Sequence, residues 1–278
     1  MPILDPPKQV ETYHRHRLPI RIMHWVNVFA FFLLLMSGLQ IFNAHPTLNW
    51  GKSSYNGSEP FLEIGSRNEN GKAIGVTRIA GHEFVTTGVL GVSSDGEGNN
   101  QDRAFPAWAT LPGSQWLSMA RSWHFLLAWI FVLNGLAYVY YGIATRHLRK
   151  DLVPTALETR QIGSSLKDHL FFRHPTGEAA KHYNVLQKFT YLLVIFVLLP
   201  GIILMGWAMS PWLDSLLPGW IDVVGGRQSA RTLHFVFAFL LLAFVAVHVF
   251  EVIITGLWNN LRSMITGRYV LPAKEKHE

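Results

Sequence analysis

The sequence predicts an all-α membrane protein, a four-transmembrane-helix bundle with a long periplasmic loop between helices 1 and 2. Three observations carry this prediction. The apolar residues of the 278-residue chain are clumped into four stretches, about 20–42, 123–143, 189–209 and 232–254, each long enough to cross a bilayer as a helix. Lysine and arginine gather on alternate flanks of those stretches. The hydrophobic fraction is 49%, with ten tryptophans and a positive mean hydropathy. Nothing divides the chain into soluble domains, so 1–278 reads as one membrane domain with an insertion at 43–119.

The chain contains no cysteine. Disulfides, thiolate zinc sites, iron–sulfur clusters, cysteine-ligated haem and C-x-x-C-H haem attachment are therefore excluded. The flanking cations set the orientation. Lys8, Arg15, Arg17 and Arg21 accompany the start of span one, seven Lys and Arg lie in the loop 144–187, and four follow span four. The short loop between spans three and four has Arg227, with Arg231 at the mouth of span four. The positive-inside rule places both termini and the middle loop in the cytoplasm of a bacterial cell, the chain being a multi-pass protein of the cytoplasmic membrane. The net charge of +6 reflects this asymmetry and is not read as nucleic-acid binding.

The elements follow in order. The apolar run after the polar lead is too long for a signal peptide and no A-x-A site follows, so it reads as a retained first span. Span one opens R-I-M-H-W, with His24 one turn inside, and Gly38 falls fourteen residues later on nearly the same face. The insertion has seven acidic and five basic residues; Gly75–Val92 has strand-like content, Gly113–Ala120 suits an interfacial turn, and Trp50, Trp108 and Trp116 suit a membrane-surface cap. His45 and His82 read as solvated. Span two opens R-S-W-H, with His124 early and Gly135 eleven residues on. His147, His169, His174 and His182 of the basic middle loop read as surface residues. Span three lacks charge and histidine; Pro200-Gly201 should kink it, and it reads as a wall helix. Gly225–Ser229 reads as a turn and cap. Span four carries His234 and His248, and the tail from Trp258 reads as a helix along the inner surface.

His234 and His248 are fourteen residues apart, on one face and about 21 Å apart along the axis. Ionisable side chains in a span serve as interhelical hydrogen-bond partners or mark function, and histidine is the commonest metal ligand. Depth sorts the four membrane histidines into two pairs. His24 and His248 lie toward the cytoplasm, His124 and His234 toward the outside. Two imidazoles at each depth are too few for tetrahedral zinc. They match a six-coordinate haem, which takes two axial imidazoles about 4 Å apart across its iron. Gly38 and Gly135, each on the helix that does not ligate at its depth, would leave room for a macrocycle, or serve ordinary helix packing. Arg17 and Arg21 inside, and Arg121, Arg227 and Arg231 outside, would pair with propionates or anchor the interface.

With H-W in span one, R-x-W-H in span two and H-x13-H in span four, the chain resembles the bacterial di-haem cytochrome b561 family from about Tyr13 to Tyr269. Within it, the likeness is to the cytochrome b subunits of Ni-Fe hydrogenases, formate dehydrogenases and molybdopterin oxidoreductases. The resemblance implies two haem b groups with bis-histidine ligation and electron exchange between a periplasmic catalytic partner and membrane quinone. The Y-N-x-x-Q-K stretch, Tyr183–Lys188, is similar to a formate-dehydrogenase quinone site and makes Asn184 the candidate there; Leu186 replaces that pattern's glycine. The expected role is an electron-transfer subunit rather than a stand-alone enzyme. The alternatives are a superoxide:quinone or ferric oxidoreductase in its own right, and a haem-free transporter or scaffold. The expected partners are quinone, membrane lipid and a hydrogenase-like or molybdopterin oxidoreductase subunit.

Overall fold

The computed structural model describes residues 12–54, 57–95, 97–160, 162–170 and 184–271. In chain order the elements are β1 (Thr12–His14), α1 (Leu18–Asn43), β2 (Thr47–Leu48), β3 (Leu62–Glu69), β4 (Lys72–Ile79), β5 (His82–Val85), β6 (Gly91–Ser94), β7 (Asn100–Arg103), α2 (Leu117–Ala144), α3 (Ala156–Arg160), α4 (Ile162–Leu170), α5 (Val185–Leu193), α6 (Leu199–Ala208), α7 (Pro211–Leu216), α8 (Trp220–Val223), α9 (Arg227–Ile254), α10 (Leu257–Thr266) and β8 (Arg268–Val270).

The protein is mostly helical, with four helices long and apolar enough to cross a membrane: Leu18–Asn43, Leu117–Ala144, Val185–Ala208 and Arg227–Ile254. Most of their apolar side chains are not buried against protein, as lipid-facing helices require. Pro19 in the first turn of α1 costs no hydrogen bond there. The third span is interrupted. A π-helical turn at Val194–Leu198 separates α5 from α6 immediately before Pro200, whose nitrogen has no proton to continue the α ladder. The kink expected at Pro200-Gly201 thus takes the form of a widened turn upstream of the proline.

The chain folds as two compact units. One comprises 26–134 and 198–241. Its insertion is not a plain loop, which amends the all-α expectation. β2, β3, β4 and β5 form an antiparallel sheet in that order, and β6 pairs with β7. Asn70-Gly71 and Ala80-Gly81 join consecutive strands with positive φ at both positions, which is the twist a two-residue hairpin needs. A Cβ at Gly91 would lie 2.1 Å from the Gly65 carbonyl oxygen, so this contact requires glycine.

Helix ends anchor the sheets. The buried Arg103 guanidinium donates to the carbonyls of Phe105 and Gly113, to Gln40 Oε1 on α1 and to Thr110 Oγ1, all at 2.8–2.9 Å. Asn43 bonds the Phe105 backbone through both ends of its amide, at 2.7 and 3.1 Å. On α9, Thr232 Oγ1 donates to the Asn49 carbonyl at 2.7 Å and Ser229 Oγ accepts from Gly51 N at 2.8 Å. Phe42, Leu48, Leu62, Ile64, Ala104 and Phe105 form the buried apolar cluster between these anchors.

The other unit comprises 1–25, 135–197 and 242–278. β1 and β8 pair antiparallel, Tyr13 opposite Tyr269. Trp25 Nε1 donates to the Met264 carbonyl at 3.2 Å and Arg21 donates to that of Ile265, so α10 is stitched to the first turns of α1. The tail expected as an inner-surface helix is α10. α5 begins at a capping box, with Asn184 Oδ1 accepting from Leu186 N at 3.1 Å and Gln187 Oε1 accepting from Asn184 N at 3.2 Å.

Candidate functional site

The four span histidines occur in the structure as two pairs, one within each unit. His124, in the second turn of α2, faces His234 of α9 with ring centroids 6.1 Å apart and planes at 64°. His24 of α1 faces His248 of α9 with centroids 6.4 Å apart and planes at 61°.

The spacing tests whether an iron fits. A metal–imidazole nitrogen bond is about 2 Å long, and the nitrogen lies about 1.1 Å from the ring centre. Two imidazoles ligating one metal from opposite sides therefore have centroids about 6 Å apart. Both pairs match. Among the described residues no three His, Asp or Glu side chains gather as a metal site, so the donor set is two imidazoles and nothing else. Such a set suits a metal whose remaining positions a macrocycle supplies.

At the His124–His234 pair each Nδ1 lies beside an oxygen. Ser37 Oγ is 3.1 Å from His124 Nδ1, and its single proton already serves the Leu33 carbonyl at 2.8 Å. With that proton so placed, the ring donates Nδ1–H to Ser37 and keeps the Nε2 lone pair free. His234 Nδ1 lies 2.8 Å from the Ile202 carbonyl, which can only accept, so it too presents a free Nε2. Both rings rest on glycine. A Cβ at Gly38 would meet His124 Cε1 at 3.4 Å, and one at Gly206 would meet His234 Cε1 at 3.3 Å. Gly38, expected to border a macrocycle, lies directly against the ring of His124.

The His24–His248 pair is held by packing. His24 stands edge-on to Trp25, with centroids 5.4 Å apart, and His248 stacks on Phe244 at 5.9 Å. His24 Nδ1 is buried and has no hydrogen-bond partner among the described residues. A Cβ at Gly135 would meet nothing within 4 Å, so the backbone there borders open space.

Arg17, Arg21, Arg121, Arg227 and Arg231 form no ion pair with a carboxylate of the described residues. Arg121 lies 5.7 Å over the Phe125 ring. Arg227 donates to the Met209 carbonyl at 2.9 Å. Arg231 donates to the His45 carbonyl and lies over Phe42. Burial and the neighbouring Arg231 push the His45 imidazole below its ordinary value. His82 is exposed on β5. Asn184 spends its side-chain oxygen on the cap of α5; its neighbour Tyr183 lies outside the described residues, as do His174, His182 and the side chain of His169.

Ser37, Gly206, Ile202 and Arg103 were not singled out in the sequence. Ser37 had a signal, being a polar residue deep in an apolar span beside Gly38. The carbonyl of Ile202 had none, because every residue carries one. Span three is more than the expected wall, since α6 supplies both the acceptor and the glycine for His234.

A family model described as prokaryotic cytochrome b561 matches residues 15–267, a range that contains both pairs. The putative protein-methionine-sulfoxide reductase subunit YedZ1 of Azospira oryzae is 28% identical over 261 residues, covering 92% of this chain and 98% of the relative. The probable Ni/Fe-hydrogenase B-type cytochrome subunit of Cupriavidus necator is 23% identical over 275 residues, covering 94% and 88%. No solved structure matches the chain significantly. With the family pattern spanning nearly the whole chain and four apolar helices to carry it, this protein belongs to the prokaryotic cytochrome b561 family, as a multi-pass bacterial membrane protein that binds haem and transfers electrons.

Proposed function

We propose that the protein is a di-haem b subunit that passes electrons between a catalytic oxidoreductase partner and the membrane quinone pool. The observation that carries this reading is the pair of matched imidazole separations, 6.1 and 6.4 Å, on four span histidines with no further His, Asp or Glu gathered beside them among the described residues. His124 and His234 hold one haem b, and His24 and His248 the other. A haem b held by two such imidazoles would supply reversible one-electron chemistry rather than substrate turnover. The protein's own residues do the rest. Ser37 and the Ile202 carbonyl keep Nδ1 protonated and aim Nε2, while Gly38 and Gly206 admit the rings. Arg21, Arg121 and Arg231, which pair with no carboxylate of the described residues, would serve the propionates, and Gly135 would give the second macrocycle room.

Both relatives are named as subunits, which supports a separate catalytic partner of the molybdopterin oxidoreductase or hydrogenase type. The partner docks on the folded 43–119 insertion at the periplasmic face. Quinone is exchanged on the cytoplasmic side, where both termini lie, near Asn184. The test is haem content and the reduced-minus-oxidised spectrum of the purified protein. Two low-spin b haems per chain, falling to one in His234→Ala, are expected. Retention of both haems in His234→Ala, or none in the wild type, overturns the reading.

A further inference from the structure

Within the unit that holds the termini, a cavity of about 360 Å³ is lined by Arg15, His16, Arg17, His147, Lys150 and Lys188, with Asp151 as the one carboxylate among the described residues of its lining. Several of these groups are engaged. Lys188 Nζ lies 2.8 Å from Glu158 Oε1, His147 pairs with Asp151, and Arg15 lies 4.6 Å over the Tyr269 ring with a 3.5 Å bond to Asn260. Arg17 and Lys150 point into the same cavity with no partner among the described residues. Burial first, and then Arg15 and the neighbouring histidines, hold His16 down to about 4, so the cavity is positive without any contribution from that ring.

We propose that this cavity is a binding site for a phosphate group. A tetrahedral oxyanion accepts from several directions at once, which matches cations arriving from three separate segments: the lead into α1, the Leu148–Leu152 π turn and the first helical turn of α5. The level of the site favours a phospholipid headgroup as the source. Arg17 immediately precedes α1, and Thr145, also in the lining, immediately follows α2. The cavity thus opens where two apolar spans end, at the depth of lipid phosphates. The proposal does not rest on the haem assignment.

The test uses the purified full-length protein in neutral detergent, with native mass spectrometry counting retained lipid and the haem spectrum recorded on the same samples. Phosphatidylglycerol is expected to be retained about tenfold better than phosphatidylcholine, whose choline repels the cations. Lys150→Gln is expected to weaken that retention about fivefold, and Lys150→Glu more, with the spectrum unchanged. Displacement of the lipid by inorganic phosphate, or stabilisation by inorganic phosphate without a lipid preference, supports the same site with a soluble source. No binding of either probe overturns the proposal, as does binding indifferent to both Lys150 variants. Loss of haem in either variant also overturns it, because the cavity would then serve the cofactor.

Discussion

At His124 and His234 the ring nitrogen Nδ1 meets an oxygen, Ser37 Oγ in one case and the Ile202 carbonyl in the other. At His24 the same atom is buried without a partner among the described residues, and the ring is held by Trp25 and by His248. Equal ring separations therefore arise in two ways, by hydrogen bonding in one unit and by aromatic packing in the other. The difference matters for metal chemistry. A hydrogen bond from Nδ1–H makes the opposite nitrogen a better donor and favours the oxidised iron, whereas a packed ring is oriented without that electronic push.

Removing a ring breaks the comparison outright. His124→Ala and His24→Ala are each expected to halve the haem content, with the surviving spectrum differing between them, as haem stoichiometry will check. The next effect separates the two modes of support. Ser37→Ala leaves His124 in place without its acceptor and is expected to weaken haem retention at that pair about tenfold and to raise its midpoint potential. The potential of the other haem should not move. Equal shifts in both would remove the distinction drawn between the units. A smaller effect is expected from glycine. Gly206→Ala places a methyl 3.3 Å from the His234 ring and should shift the spectrum of that haem slightly, while Gly135→Ala meets open space and should not. The smallest concerns pH. His16 is held at about 4 against an ordinary 6.5, so the unfolded chain takes up its proton first as the medium is acidified. The stability this group contributes is full above about 6.5 and is lost as pH falls toward 4. His16→Gln is expected to flatten the unfolding midpoint across that window.

The four spans and both histidine pairs were legible in the sequence because hydropathy and helical rise are properties of the chain itself. Fourteen residues place His234 and His248 on one face whatever else the protein does. The insertion was read less well. Gly75–Val92 has strand content and contains most of β4 and β5, but β3 lies outside it. The Asn70-Gly71 hairpin signal was present and was missed, because charged residues around it mask the alternation of an edge-rich sheet. Asn184 was taken as a ligand residue from a motif, and the structure shows what its oxygen does locally, which is cap a helix. Arg103 was counted only as one of five basic residues in the insertion. Nothing in sequence distinguishes an arginine that will be buried among carbonyls from one that will remain in water.

The anchors of the insertion bear on the order in which the protein is made. Ser37, Gln40 and Thr232 are buried polar residues within apolar helices; Thr232 bonds to the insertion, and Gln40 Oε1 takes a bond from Arg103 of the insertion beside one from Asn43 of its own helix. While the chain is being threaded into the bilayer, α1 exists before its partner strands have been synthesised. The end of α1 that carries Gln40 and Asn43 therefore stays wet, or shielded by an insertion factor, until β7 and the turns after it have emerged and Arg103 has closed on it. α9 arrives to a finished platform and needs no such wait. A chain whose insertion fails to fold leaves the polar groups at the mouth of its first span short of partners, so the folding of the insertion and the seating of that span are one event.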